Sequence, residues 1–457
     1  VDENGNGLNG ATIQILNKDK EPVKARVTDD TFEKGKDMIF ESKAIGVEIT
    51  NQLDANTTYY LREIVPPDGY HLAADDMIFI TNKDETVKLV SITDVKTKVS
   101  ISKADITTGK EIKGATLSIR DKSGNLIESW TSEETPHIIE GKLIAGETYV
   151  LHEESAPDGY YYTVDVEFTM PLHDEGIVKV VMEDEKTYVE LKKTDITTSK
   201  EVPGAKVQIK DKDGNIIEEW VSTEEEHIIQ GKLNAGETYI YHEEGAPDGY
   251  YYADDVEFTI PANKEDIQKV ELQDAPIIVK IKKTDITNGV EVIGASLQIK
   301  DKNGKVIEEW VSDGSEHIIQ AKLKAGETYI LHEEGAPNGY YYTEDIEFKI
   351  PLKDEGIIKV EMKDAPTDVK IHKTDVTTGE EVPGAHLQLK DSHGDLIDEW
   401  ISTTKPHEFK AELIAGQTYY LYETGAPDGY YYEEVVEFKI PLKDEGIVEV
   451  KMEDKPT

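Results

Sequence analysis

The chain repeats itself every 90 residues, and this period decides what it can fold into. Trp130, Trp220, Trp310 and Trp400 fall at that interval, as do Pro157, Pro247, Pro337 and Pro427, which each open a PxGYYY motif. Solenoid repeats run to roughly 20–50 residues, so a longer unit reads as a row of separate domains. A fifth, divergent copy comes first: GATIQI, TYYLREIVPPDGY and VKLVSITD match GATLSI, TYVLHEESAPDGY and VKVVMED of the next copy. Its stretch around residues 17–55 has no counterpart in the others. The expected domains are 1–94, 95–184, 185–274, 275–364 and 365–457.

Each unit reads as all-β. In the second, VSISKAD, ATLSIRD, LIESWTS, HIIEGKL, TYVLHEE, VEFTMP and GIVKVVMED are strand-like runs, separated by the turn signals TTGKE, DKSGN, IAGET, APDGY and HDEG. About seven short strands in a unit of this size predict a β-sandwich. Only a few residues, such as AP or APT, join one unit to the next. Short proline-containing linkers predict a tandem array in the form of a semi-rigid, extended rod.

Acidic residues outnumber basic ones 94 to 50, and the net charge of −44 is spread along the whole chain. Such a surface argues against nucleic acid and anionic membranes as partners, and no apolar run is long enough to span a bilayer. There is no cysteine, which excludes disulfides, thiolate metal sites and cysteine nucleophiles. Small extracellular domains usually need a staple, so here the staple must be of another kind. No signal peptide is visible, and the chain reads as an excised piece of a longer protein.

Three charged residues sit where apolar ones belong. Side chains alternate faces along a strand, so Val99, Ile101 and Lys103 share the inward face, as do Val189, Leu191 and Lys193; Val279, Ile281 and Lys283; and Val369, Ile371 and Lys373. Before the PxGYYY turn, the same parity aligns Tyr149, Leu151 and Glu153, and likewise Glu243, Glu333 and Glu423. On the last strand it aligns Val180, Met182 and Asp184, and likewise Asp274, Asp364 and Asp454. In all four units 50 residues separate the Lys from the Glu, and 81 separate it from the Asp. The neighbours just outside these positions vary: Ser102, Lys192, Lys282 and His372 precede the lysines. Burial favours the neutral forms of amine and acid; a neutral amine is a nucleophile, and a carboxylate between the two can shuttle the proton. Parity and spacing leave two outcomes open, a buried unreacted ion triad or a Lys–Asp amide formed with loss of water.

These residues resemble the Cna B-type (SpaA-like, transthyretin-like) domains of Gram-positive surface adhesins and pilins. The shared pattern is KTD followed by GA, then YxxxExxAPxGYY, then a terminal strand ending in Asp, and it covers essentially the whole chain as five copies. The resemblance implies an intramolecular isopeptide bond in each complete unit: Lys103–Asp184, Lys193–Asp274, Lys283–Asp364 and Lys373–Asp454, with Glu153, Glu243, Glu333 and Glu423 as the catalytic proton shuttles. In the first unit the lysine position would lie just before Val1, so Glu63 and Asp94 are expected to remain uncrosslinked. The resemblance also implies the stalk of an extracellular, cell-wall-anchored adhesin or pilin, attached covalently through regions outside these residues. No cofactor is implied, and a bond made once per domain is not enzymatic turnover. No sorting signal or pilin lysine motif is visible, so a monomeric stalk and a polymerised pilus both stay open. The alternative is a ligand-binding adhesin module for a host matrix or cell-surface component, seated in the divergent first domain.

Other motifs read as structural. His152-Glu153-Glu154 lacks the second histidine of a zinc protease and lies on a strand. DKDGN at Asp211–Asn215 lacks a calcium loop's ligand ladder and reads as a hairpin turn. No metal site is expected. The four tryptophans read as packing residues, His137, His227, His317 and His407 as strand-end structural residues, and Tyr160–Tyr162 with their equivalents as a mix of buried and exposed positions.

Overall fold

The computed structural model describes residues 1–84, 86–431 and 435–457, in which there are 32 strands and no helix. The chain is an all-β tandem array, as the turn spacing predicts. Each of the four later units has seven strands among the described residues. In the second unit they are Lys98–Asp105, Thr116–Asp121, Leu126–Thr131, His137–Glu140, Thr148–Ser155, Val166–Thr169 and Val178–Asp184. They form two sheets. One has three strands in the order seventh, first, fourth; the other has four in the order sixth, fifth, second, third.

One pairing is unlike the rest. The first and last strands run parallel, from Val99 opposite Val178 to Asp105 opposite Asp184, while the other pairs are antiparallel. Parallel neighbours need a crossover connection, and here nearly the whole domain is that crossover. The chain therefore enters a domain at the start of one strand and leaves at the far end of its immediate neighbour. Apolar residues from both sheets fill the space between them: Val99, Ile101, Leu117, Ile119, Tyr149, Leu151, Val180 and Met182 are all buried.

The first unit differs. Its strands Thr12–Leu16, Ile39–Glu41, Thr58–Val65 and Met77–Ile80 make one four-stranded sheet. The segment peculiar to this unit supplies core residues Ala25, Phe32 and Met38, which pack with Ile15 and Tyr59. The segment VKLVSITD, which matches the last strand of the next copy, forms no strand, although Asp94 at its end is buried. In later units its parallel neighbour is the strand that carries the lysine; here Val1 takes that place among the described residues, donating from N to Ile92 O at 2.8 Å and accepting at O from Asp94 N at 2.9 Å.

Candidate functional site

In every complete unit the parallel ladder brings Lys and Asp together. Lys103 lies opposite Met182, and Asp184, two residues on, shares its face as a diagonal neighbour. Glu153 reaches them from the other sheet. A bulge sits beside it: Leu117 faces Glu153 and Thr116 faces Ser155, leaving Glu154 unmatched. The same irregularity recurs beside Glu63, Glu243, Glu333 and Glu423. Bulges commonly re-aim a side chain next to a reactive site.

The side chains meet in a dry interior. Lys103, Glu153 and Asp184 are 1%, 4% and 1% exposed. Lys103 Nζ is 2.7 Å from Glu153 Oε1 and also contacts Asp184 Oδ1. Lys193 Nζ is 3.2 Å from Glu243 and contacts Asp274; Lys283 Nζ is 2.9 Å from Glu333 and contacts Asp364; Lys373 Nζ is 3.3 Å from Glu423 and contacts Asp454. The second oxygen of the glutamate is held by a backbone N–H ten residues on. Thr163 donates to Glu153, Ala253 to Glu243 and Thr343 to Glu333, at 2.7–2.9 Å. That anchor leaves the other oxygen aimed at the amine.

One ammonium faces two carboxyls here, and the two carboxyls cannot both hold full charge without cost. Burial pushes Asp184 and Asp274 up to about 7, against the pull of the adjacent lysines and with the glutamates adding to the rise. In the fourth unit burial raises Glu333. A carboxyl that keeps its proton at neutral pH is a far better electrophile than a carboxylate. The arrangement thus holds an amine, an acid and a base in contact, away from water.

Sequence reasoning missed two supporting contacts. Glu111, Glu201, Glu291 and Glu381 each accept a hydrogen bond from the backbone N–H of the lysine, at 3.1–3.3 Å. Asp105, Asp195, Asp285 and Asp375 each accept one from the first tyrosine of the PxGYYY turn, at 2.9–3.0 Å. Fixed spacing was the available signal in both cases, since each glutamate lies eight residues after its lysine. Beside Lys103 a cavity of about 90 Å³ is lined by Trp130, Ser132, Pro136 and His137, and a matching one lies beside Lys373.

The remaining motifs have structural contacts. The four tryptophans pack against the cores and stack on His137, His227, His317 and His407, with centroids 4.1–4.4 Å apart. His152 lies on a strand with Nδ1 2.7 Å from Asp165. Asp211 closes its turn by accepting from the N–H groups of Asp213 and Asn215. Tyr160 is half-buried and Tyr161 buried; Tyr432 falls outside the described residues.

In the first unit Glu63 and Asp94 are buried, and among the described residues no lysine pairs with either. Burial lifts Glu63 to about 7 and Asp94 to about 6, although the Val1 ammonium pulls both the other way. Folded values above the ordinary ones near 4 mean that the folded unit binds these protons more tightly. The stability they contribute is complete below about pH 4 and is lost as pH rises through 6 to 7. Amide exchange of Thr12–Leu16 and Thr58–Val65, corrected for intrinsic rates, should be at least about tenfold faster at pH 8 than at pH 5. Equal corrected rates would show that the two acids are solvated.

The family model described as SpaA, a prealbumin-like fold domain, matches residues 1–96, 97–186, 187–276, 278–366 and 367–456. The comparison with curated proteins gives no match. Among solved structures, the Bacillus anthracis TIE protein is 16% identical, with 97% of this chain and 75% of that one covered at a TM-score of 0.31. The shaft pilin SpaA of Lactobacillus rhamnosus GG is 15% identical, covering 39% of this chain and 97% of that one at a TM-score of 0.22. A streptococcal ancillary pilin is 15% identical, covering 59% and 99%, at a TM-score of 0.25.

Proposed function

The chain belongs to the SpaA prealbumin-like domain family in five successive copies, and from that premise we propose that it is the self-crosslinked stalk of an extracellular adhesin or pilus. The observation that carries this reading is the buried Lys–Glu–Asp contact joining first strand to last in four consecutive domains that contain no cysteine.

The chemistry follows from the contacts. With Lys103 neutral and Asp184 protonated, the amine lone pair attacks Asp184 Cγ, and Glu153 takes the proton that the attacking nitrogen sheds. A C–N bond forms, a C–O bond breaks, and Glu153 returns the proton to the departing oxygen, which leaves as water. Fixed contact between the groups removes the entropic cost of bringing them together. The amide consumes its own nucleophile, so the reaction runs once per domain. Tension entering at the first strand and leaving at the last would pass through the amide and bypass the residues between.

Intact mass spectrometry tests the reading. Four condensations remove four waters, about 72 Da below the unmodified formula. A measured mass equal to that formula would overturn the proposal.

A further inference from the structure

We propose that Tyr161, Tyr251 and Tyr341, each the second tyrosine of a PxGYYY turn, are pegs that seat in the core of the following domain and fix the angle between the two. The socket's partner is a neighbouring domain of the same kind. Tyr161 belongs to the second domain, yet its ring packs in the third domain's core with Val189, Leu191, Ile229 and Leu233. Tyr251 sits likewise in the fourth domain's core, and Tyr341 in the fifth's.

Hydrogen bonds sew the same turns to the same neighbours. Gly159 O accepts from Thr187 N, and Thr187 Oγ1 donates onward to Leu233 O at 2.6 Å. Thr97 and Thr367 repeat this arrangement at the first and last junctions. The residue after the peg reaches further into the next domain: Tyr162 N donates to Ala262 O, Tyr252 N to Leu352 O and Tyr342 N to Leu442 O, at 2.9–3.0 Å. Gly159 has φ +79°, and a Cβ there would lie 2.3 Å from Gly231 O across the junction. Glycine is therefore what lets the turn lie against its neighbour's backbone.

The first and fifth domains act as internal controls. In the fifth domain Tyr430 still bonds Asp375 at 3.0 Å, so the start of the turn folds in the same way. Its second tyrosine, Tyr431, is 60% exposed, against 6%, 1% and 1% for Tyr161, Tyr251 and Tyr341. The neighbour, and not the turn itself, buries the ring. In the first domain the peg position is His71, which is buried at the junction with Nδ1 3.0 Å from Pro171 O.

The cysteine-free chain allows a direct test by pulsed dipolar spectroscopy. Spin labels at K122C and K212C, equivalent exposed turns of the second and third domains, should give a narrow distance distribution. Tyr161→Ser should at least double its width, and Tyr161→Phe should leave it narrow, because the ring fills the socket. In the same Tyr161→Ser chain, labels at K212C and K302C across the intact Tyr251 junction should stay narrow, which separates a loosened joint from an unfolded domain. Broadening at both pairs, or at neither, overturns the proposal. These widths do not depend on whether the Lys–Asp bonds form.

Discussion

The Glu243→Ala variant should lose three waters instead of four and become open to trypsin within residues 193–274, while the other three complete domains stay resistant. In the proposed condensation Glu243 would move the proton; it lies 3.2 Å from Lys193 Nζ with its second oxygen accepting from Ala253 N. Without it, Lys193 and Asp274 remain a buried ion pair and the third domain is held by non-covalent contacts alone. Closing a loop that spans 81 positions is worth roughly 4.5 kcal/mol in a loop-entropy model. That is a large share of the stability of one small domain, so its amides should open with correspondingly greater frequency. Glu244→Ala is the control. Glu244 is the adjacent acid and points outward, exposed, and its loss should change neither the mass deficit nor the digestion pattern. A four-water deficit in Glu243→Ala would show that this carboxyl is dispensable and that the proton finds another route.

Much of this was legible from one rule, the two-residue period of a strand. It put Lys103, Glu153 and Asp184 on inward faces, and the structure places all three in mutual contact. The rule works because a charge on an apolar face is a contradiction that only a partner can resolve. It fails where the neighbour lies in another unit, or where the segment pairs with no strand. Tyr161 has the alternation of its own turn but is buried by the next domain, which no within-repeat pattern reports. Val90, Ile92 and Asp94 keep the alternation of a strand and yet form none, because a strand also needs an edge to pair with. Glu111 and Asp105 lie near turns, where polar residues are ordinary, so nothing in their surroundings marked them as fixing the lysine backbone or the first tyrosine.

Pulled from its two ends, the array should release the first domain as an extending thread and none of the four that follow. The first and last strands of a complete domain are parallel neighbours in register, Val279 opposite Ile358 through Asp285 opposite Asp364. Force applied at opposite ends of that pair shears it along its length. With Lys283 and Asp364 joined, the strands cannot slide, and everything between them stays slack. Among the described residues of the first domain no lysine pairs with the buried Glu63 and Asp94, so within these residues nothing covalent resists unravelling. Lys283→Met should add a second extension step in single-molecule stretching. Some 80 residues freed at about 3.3–3.6 Å each give a step on the order of 280 Å before subtracting the folded width. The methionine keeps the core filled, and Asp364 and Glu333 relieve their mutual repulsion by sharing a proton, so the variant domain still folds and the step should recur after relaxation. Five steps in the unaltered chain would mean that the bonds are absent or do not lie in the path of the force. A Lys283→Met chain with no added step would mean that shear of the parallel ladder alone withstands the load, and the amide would then have no mechanical task to perform.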